Sequence, residues 1–405
     1  MLTKEENERL TRVGPGTPGG ELLRRYWQPV ALVPSVSEET PTKFVRLLGE
    51  DLVLFRDKSG NVGLLADHCS HRGASLLYGR VEERGISCAY HGWLYDTSGN
   101  CLETPAEPEG SLFHLTVKQR AYPVQEYAGI YWTYMGPAPV PVLPRFDVVE
   151  MGVLTAVGEV PREDCNWLQV VENNLDQTHV FILHQDTSGR SEDVNSTTRG
   201  LIDKLGELHY TECEFGIERK QIHKDGYVET DLLIFPQTQR LLNHVSVKVP
   251  IDDTHSRNFR IFIDLMLDAS EEEKARARAN TTVDYWEEST AEGKTPSDKA
   301  YPFAQYKMDQ LRFQDFMVLE TQGPITAREN ERLGTGDKGV VLLRDVLMRE
   351  IGRVEQGLDP IGVIRDPERA VIDTHTGTLH DERRARWVTP AGVRLFEGRQ
   401  LAGVR

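Results

Sequence analysis

Three short runs in the first third of the chain, FVRLLGEDLVLFRD (44–57), NVGLLAD (61–67) and GIYWTYMG (129–136), are apolar or alternate apolar with polar residues. Gly, Asp-Lys-Ser-Gly and Pro break them, and that punctuation predicts β-strands in a small sandwich. The Pro-rich PAPVPVLPRF (137–146) has the composition of a linker and puts a domain boundary close by. Beyond it the period lengthens. Trp167, Leu168, Val170, Val171 and Leu175 recur as on the buried face of a helix. In LDASEEEKARARAN (267–280), Ser270 and Glu273 have capping-box spacing in front of a charged segment, which predicts a solvated helix. The tail from Asp359 is charged and broken by Pro and Gly, and predicts no element.

Composition narrows the class. The 405 residues are material for about two or three domains. A net charge of −16 argues against nucleic acid as a partner, because such binding needs basic patches. The opening MLTKEENERL has no apolar core, so no signal peptide is expected. No run approaches the ~20 apolar residues of a membrane span. The cysteines, Cys69, Cys88, Cys101, Cys165 and Cys213, are an odd and sparse set. They suit a reducing cytoplasm better than a disulfide framework.

The stretch CSHRGASLLYGRVEERGISCAYHGW (69–93) offers one Cys and one His in each of two loops. Cys69 and His71 stand as C-x-H, and Cys88 and His91 as C-x-x-H. Two matched pairs argue against incidental residues. Structural zinc accepts two Cys and two His, but its usual spacing is C-x(2–4)-C followed by H-x(3–5)-H. An even split between two loops suits a Rieske [2Fe–2S] cluster, where thiolates hold one iron and imidazoles the other. Gly73 and Gly92 follow the histidines, where the backbone must turn tightly.

A second constellation lies in NWLQVVENNLDQTHVFILHQD (166–186), where Glu172, Asp176, His179 and His184 form E-x3-D-x2-H-x4-H. Asp176 and His179 share a helical face. His179 and His184 stand about 140° apart on a regular helix, so both reach one metal only if the helix ends or loosens between them. The β-branched and aromatic run Val180-Phe181-Ile182 is where a helix end or a π-bulge is expected. Two histidines and one carboxylate make the facial triad of a non-haem Fe(II) site, with positions open to O2 and substrate.

HRGASL and YHGWLYD, together with D-x2-H-x4-H, resemble the Rieske non-haem iron oxygenases. NERLTRVGPGTPGGELLRRYWQPVAL near the start and GPITARENERLGTGDKGVVLLRDVL later resemble the branch of phthalate dioxygenase and the aromatic O-demethylases. The resemblance covers nearly the whole chain. It departs from respiratory Rieske proteins, whose extra disulfide has no counterpart at Ala74 or Gly92-Trp93, and Cys101 has no obvious partner.

That resemblance implies an α+β protein: an N-terminal helical segment (1–40), an all-β Rieske domain (41–147), and a catalytic domain (148–405) of antiparallel sheet wrapped by helices, of the helix-grip type. It makes Cys69, His71, Cys88 and His91 the cluster ligands and gives the mononuclear Fe(II) to His179 and His184. Asp176 would act in catalysis by bonding His179 and reaching His91 of the partner subunit. The third iron ligand should lie in YKMDQLRFQDFMVLETQGP (306–324), where Asp309, Asp315 and Glu320 are candidates. Asp315, in QDFMVLETQG, resembles the ligand-bearing stretch of the family.

The implied function is the terminal oxygenase of a multicomponent system acting on an aromatic acid, by ring dihydroxylation or by mono-oxygenation with O-demethylation. Electrons would come from an NAD(P)H-dependent flavin reductase, directly or through a ferredoxin. No G-x-G-x-x-G cradle occurs in this chain, so the nucleotide belongs elsewhere. A homotrimer or stacked trimers are implied too. The contrasting class is a Rieske protein that only transfers electrons, which the long C-terminal part disfavours; a zinc-stabilised binding protein comes third. Arg190, Arg199, Arg219, Arg240 and His244 follow the second constellation and are expected as surface or edge-strand residues, with none assigned to substrate.

Overall fold

The computed structural model describes residues 2–184, 202, 205–241, 243–266, 269–285, 294–295, 305–306, 308 and 311–374. Two helices open the chain, α1 (Lys4–Thr11) and α2 (Pro18–Leu23). The segment expected to be helical as far as residue 40 then changes character. QPVAL is apolar after its first residue and fully buried, and it forms strand β1 (Gln28–Leu32). Local pattern did not single it out because its partner lies a hundred residues away.

Ten more strands follow: β2 (Thr42–Leu47), β3 (Glu50–Arg56), β4 (Val62–Ala66), β5 (Arg80–Glu82), β6 (Gly85–Ser87), β7 (Leu94–Tyr95), β8 (Cys101–Glu103), β9 (Ala121–Tyr122), β10 (Val124–Tyr127) and β11 (Ile130–Thr133). They make three small sheets in the orders β1-β11-β10, β2-β3-β4-β9 and β5-β6-β7-β8. The β2–β3 turn is Leu48-Gly49, both at positive φ, which matches the twist of a two-residue hairpin. Leu48 tolerates that conformation because the turn is pinned. Its N–H donates to the Pro250 carbonyl at 3.0 Å, and the Gly49 N–H donates to that of Ile251 at 2.9 Å. The hairpin tip therefore docks on the second half of the chain.

The Pro-rich linker is held down along its length. The Val142 N–H donates to the Ile364 carbonyl, and that of Arg145 to Ala370, both at 2.8 Å. Strand β12 (Arg145–Phe146) pairs in parallel with Val371–Ile372. The part of the tail that predicted no element is thus the linker's clamp. Leu143 and Phe146 are buried there.

After the short α3 (Asp147–Met151) come β13 (Val153–Glu163), α4 (Trp167–Leu175) and α5 (Gln177–Ile182). Next are β14 (Glu207–Cys213), β15 (Gly216–Ile222), β16 (Val228–Ile234), β17 (Thr238–Leu241), β18 (His244–Pro250) and β19 (Ser256–Asp264). Then come α6 (Glu271–Ala279), β20 (Thr282–Tyr285), α7 (Leu311–Glu320) and α8 (Lys338–Glu355). Eight strands form one sheet in the order β14-β15-β16-β17-β18-β19-β13-β20, antiparallel except for the β13–β20 edge. Val245, Val247 and Val249 of β18 join Phe259, Ile261 and Ile263 of β19 in the core that β1 also enters. Helix α6 carries the expected capping box and buries none of its residues.

Glu172, on α4, does not belong to the metal constellation. It lies 2.8 Å from Arg328 and 2.7 Å from Arg344. Arg328, in the loop after α7, also donates to Asn7 of α1 at 3.1 Å, and Arg344 of α8 meets Glu331 at 2.6 Å. Burial alone would raise the Glu172 carboxyl, but the two guanidiniums hold it below its ordinary pKa. Glu172→Ala leaves the buried Arg328 without a carboxylate among the described residues and Arg344 with Glu331 alone, and should cost about 3–5 kcal/mol of stability, measured by denaturant unfolding. A loss below about 1 kcal/mol would remove this cluster from the framework, because exposed pairs contribute that little.

Candidate metal centres

The two Cys–His loops share one geometry. In the first, between β4 and β5, the Cys69 N–H donates to the Ala74 carbonyl at 2.9 Å and the Gly73 N–H to the Cys69 carbonyl at 2.8 Å. In the second, between β6 and β7, the Cys88 N–H donates to Trp93 and the Gly92 N–H to Cys88, both at 2.9 Å. Gly73 and Gly92 both have φ of +74°, a conformation that glycine adopts without strain.

Both thiols are buried, and both imidazoles are only partly covered. The His71 and His91 rings lie 4.6 Å apart. His71 stacks on Trp93 at 4.2 Å, and Tyr90 covers His91 at 3.8 Å. Burial pushes the Cys69 thiol up, against the pull of Tyr95, whose hydroxyl is 3.2 Å from Sγ. The same hydroxyl is 3.0 Å from Ser70 Oγ.

The residues fit a two-iron cluster better than one zinc. His91 Nδ1 is buried with no hydrogen-bond partner, as a nitrogen reserved for a metal would be. A tetrahedral zinc would draw all four ligand atoms to one point. Among the described residues, the group of three or more ligand atoms within 4.8 Å of one another is His179, His184 and Asp315, and not the Cys–His set.

That second group is built on a helix break. Helix α4 buries Trp167, Leu168, Val170, Val171 and Leu175, as their spacing predicts. It stops at Asp176, which also starts α5. The Asp176 carboxylate accepts from the backbone N–H of Thr178 at 2.9 Å and of His179 at 3.3 Å. Helix α5 ends at Ile182, so the helix ends between His179 and His184. The other Asp176 oxygen is 3.8 Å from His179 Nδ1, beyond hydrogen-bond reach, and that nitrogen is buried without a partner.

Asp315, one turn into α7, comes from the opposite side. Its Oδ1 is 3.0 Å from His184 Nε2 and 3.7 Å from His179 Nε2. Burial works to raise the Asp315 carboxyl, but His184, His179 and Arg260 together hold it below its ordinary value. Burial likewise keeps the His179 imidazole low, against the pull of Asp315 and Asp176. Two imidazoles facing one carboxylate are a donor set suited to a divalent cation. Of the other carboxylate candidates, Glu320 is taken by the Tyr306 hydroxyl at 2.5 Å and the Asp164 N–H at 3.1 Å. Asp309 lies outside the described residues.

Sequence reasoning passed over Gln314. Its Oε1 is 2.7 Å from His184 Nδ1, and its amide donates to the Met308 carbonyl at 2.6 Å. That contact turns His184 so that Nε2 faces Asp315. Its one sequence signal was adjacency to Asp315. The arginines behaved differently from expectation. Arg219 and Arg240 are buried, not surface residues, because Arg219 pairs with Asp231 and Arg240 donates to the Thr374 carbonyl. His244 is partly covered, and Arg190 and Arg199 lie outside the described residues.

Known proteins match along the same two halves. The Rieske [2Fe-2S] domain matches residues 26–127, and the family described as LigXa C-terminal domain like matches residues 134–382. Over 384 residues the chain is 36% identical to the 5,5'-dehydrodivanillate O-demethylase oxygenase subunit of Sphingobium sp., covering 91% of this chain and 84% of that one. Over 397 residues it is 36% identical to phenoxybenzoate dioxygenase subunit alpha of Ectopseudomonas oleovorans, covering 92% and 91%. The terminal oxygenase of carbazole 1,9a-dioxygenase from Nocardioides aromaticivorans shares the fold, with a TM-score of 0.56 over 85% of this chain and 96% of that one at 19% identity.

The chain therefore belongs to the Rieske non-haem iron oxygenases, in the group whose C-terminal domain is of the LigXa type. It is an oxygenase subunit, and its cofactors are a Rieske [2Fe–2S] cluster and a mononuclear iron.

Two measurements probe the supports of these centres. Gln314→Leu removes the contact at His184 Nδ1 and should weaken mononuclear iron binding about 10- to 100-fold in an iron titration, leaving the cluster spectrum intact. Tyr95→Phe removes the hydroxyl beside Cys69. A hydrogen bond to a thiolate favours the reduced, more negative cluster, so the variant should have a lower reduction potential in a redox titration.

Proposed function

We propose that this oxygenase subunit hydroxylates an aromatic acid, by ring dihydroxylation or by mono-oxygenation that ends in O-demethylation. The convergence of His179, His184 and Asp315 within 4.8 Å carries this reading, because a pure electron carrier has no use for it. Cys69 and Cys88 would hold one cluster iron, His71 and His91 the other, and His179, His184 and Asp315 the mononuclear iron. When bound, these groups supply electrons singly and activate O2. The partly covered imidazoles give the electrons a path to the surface.

Asp176 has one oxygen committed to capping α5 and a second turned toward His179. In a trimer, or two stacked trimers, that second oxygen would meet His91 of the partner subunit and join the two centres through one carboxylate. The electrons would come from an NAD(P)H-dependent flavin reductase, directly or through a ferredoxin. No described helix is long and apolar enough to cross a membrane, and a cytoplasmic site of action suits a nicotinamide-fed system.

Single turnover tests the reaction. Chemically reduced, metal-loaded enzyme would meet O2 and a panel of aromatic acids, half of them methoxylated, with products read by mass spectrometry. Gain of two oxygens and two hydrogens marks ring dihydroxylation; loss of CH2 with formaldehyde release marks O-demethylation. Reoxidation of the cluster with every acid unchanged would sink the reading. Asp315→Ala should lose the mononuclear iron and all product while the cluster and its sulfide remain. A strictly monomeric active enzyme would end the proposed subunit bridge.

A further inference from the structure

The sheet presents a second polar pattern on the face that looks toward α7. Ser246 stands opposite Arg260, Lys248 opposite Asn258, and His244 opposite Phe262 across β18 and β19. On β13 the partners of Arg260, Asn258 and Ser256 are Gly158, Val160 and Glu163. Directly paired residues project to the same side, so all of these share one face. Val160 clusters with Phe313 and Phe316 of α7, which identifies that face as the one beneath the helix bearing Asp315.

Most polar groups here satisfy one another. Lys248 donates to the Ser246 hydroxyl, which donates to Asn258 at 2.8 Å. The other described arginines of the sheet strands have partners: Arg162 pairs with Asp164, Arg219 with Asp231, Arg240 with the Thr374 carbonyl, and Arg257 with Glu159. Arg260 differs. Its Nε, like those of Arg219 and Arg257, is buried with no hydrogen-bond partner, but unlike theirs its guanidinium has no carboxylate within ion-pairing distance among the described residues.

Arg260 is also not sealed in. It keeps part of its surface accessible, as do His244 and Phe262 beside it, whereas Ser246, Lys248 and Asn258 are closed. Yet burial pushes the Arg260 guanidinium below its ordinary value and, with the charges of Arg260, Lys248 and Arg240, brings His244 down to about 3. Arg260, His244 and Phe262 are deep yet partly accessible on the face beneath α7. Asp315 and Glu163 act on Arg260 through space, so this part of the face adjoins the triad.

We propose that Arg260 is the residue that binds the substrate's carboxylate, anchoring an aromatic acid on the sheet face with its ring directed toward the site of His179, His184 and Asp315. This deepens the reading of the chain as an oxygenase of aromatic acids and rests on it. The guanidinium fork matches a carboxylate in two parallel hydrogen bonds, and Gly158 opposite puts no side chain in the way. Phe262, next on the same face and stacked with His244 at 5.4 Å, supplies an apolar wall.

The test uses the full-length, metal-loaded enzyme and anaerobic equilibrium dialysis. The probes are 4-methoxybenzoate, vanillate and phthalate, each beside its carboxamide. Arg260→Gln should weaken the best-bound acid about 10- to 100-fold while changing its carboxamide by no more than about twofold, the difference being the charge-assisted bonds. Arg260→Lys should recover part of the acid's affinity. Iron content is read in both variants; if Arg260→Gln loses iron, the acid-to-carboxamide ratio of Arg260→Lys decides, and a ratio equal to wild type overturns the assignment. Equal loss for acid and carboxamide, or no loss, also overturns it, and leaves the oxygenase reading standing if wild type still oxygenates the acid. Wild type that binds and oxygenates the carboxamides as well as the acids, or that accepts no acid at all, overturns the acid substrate class itself.

Discussion

Glu172 meets Arg328 and Arg344 in a space closed to water, and those contacts join the segments that the mononuclear site needs in register. Helix α4 carries Glu172 and leads into Asp176 and His179. Arg328 follows α7, which carries Asp315. Arg344 belongs to α8, and Asn7 ties α1 to the same cluster. A buried charge without its partner is costly, so none of these segments can shift alone. The two sides of the metal triad are held by one set of ion pairs lying outside it.

Within that frame the site depends on where a helix stops. A continuous helix through 167–184 would send His179 and His184 to different sides. Asp176 prevents this by ending α4 and capping α5 with the same side chain. The second end, at Ile182, then lets His184 fold back onto Gln314. Orientation of the imidazoles therefore comes from two polar neighbours, Asp176 and Gln314, and the apolar residues of α4 supply depth. The cluster loops rely on a different device, two glycines in the same left-handed conformation that bring each N–H back to its cysteine carbonyl.

The two halves meet through backbone contacts as much as through side chains. The Leu48-Gly49 turn bonds to the strand end at Pro250 and Ile251, and the linker is paired with the described part of the tail. These contacts hold the domain that carries the partly covered histidines and the buried thiols against the other half of the chain. The eight-stranded sheet then divides its work by alternation. Odd-numbered residues of β18 and β19 build the core, and their even-numbered neighbours line the polar face under α7.

The sequence by itself determined the parts whose signal is local. The C-x-H and C-x-x-H spacings, the period of Trp167 to Leu175, the capping box at Ser270 and the strands between 44 and 67 can all be read in windows of a few residues, because ligand loops, helix faces and hairpins close over such distances. Asp315 needed resemblance to separate it from its neighbours, since an acidic residue on a helix carries no mark of what it faces. Other features escaped altogether. Strand β1 is a strand only because residues 130–133 lie beside it, and Gln314 matters only because His184, 130 residues away in sequence, turns toward it. The arginines show the limit most clearly. Arg219, Arg240 and Arg260 are equivalent as letters, and cross-strand register and distant chain decide that two meet partners while the third has no carboxylate within ion-pairing distance among the described residues. Whether a charge is paired depends on what the fold brings within a few ångströms, and only the tertiary structure decides that.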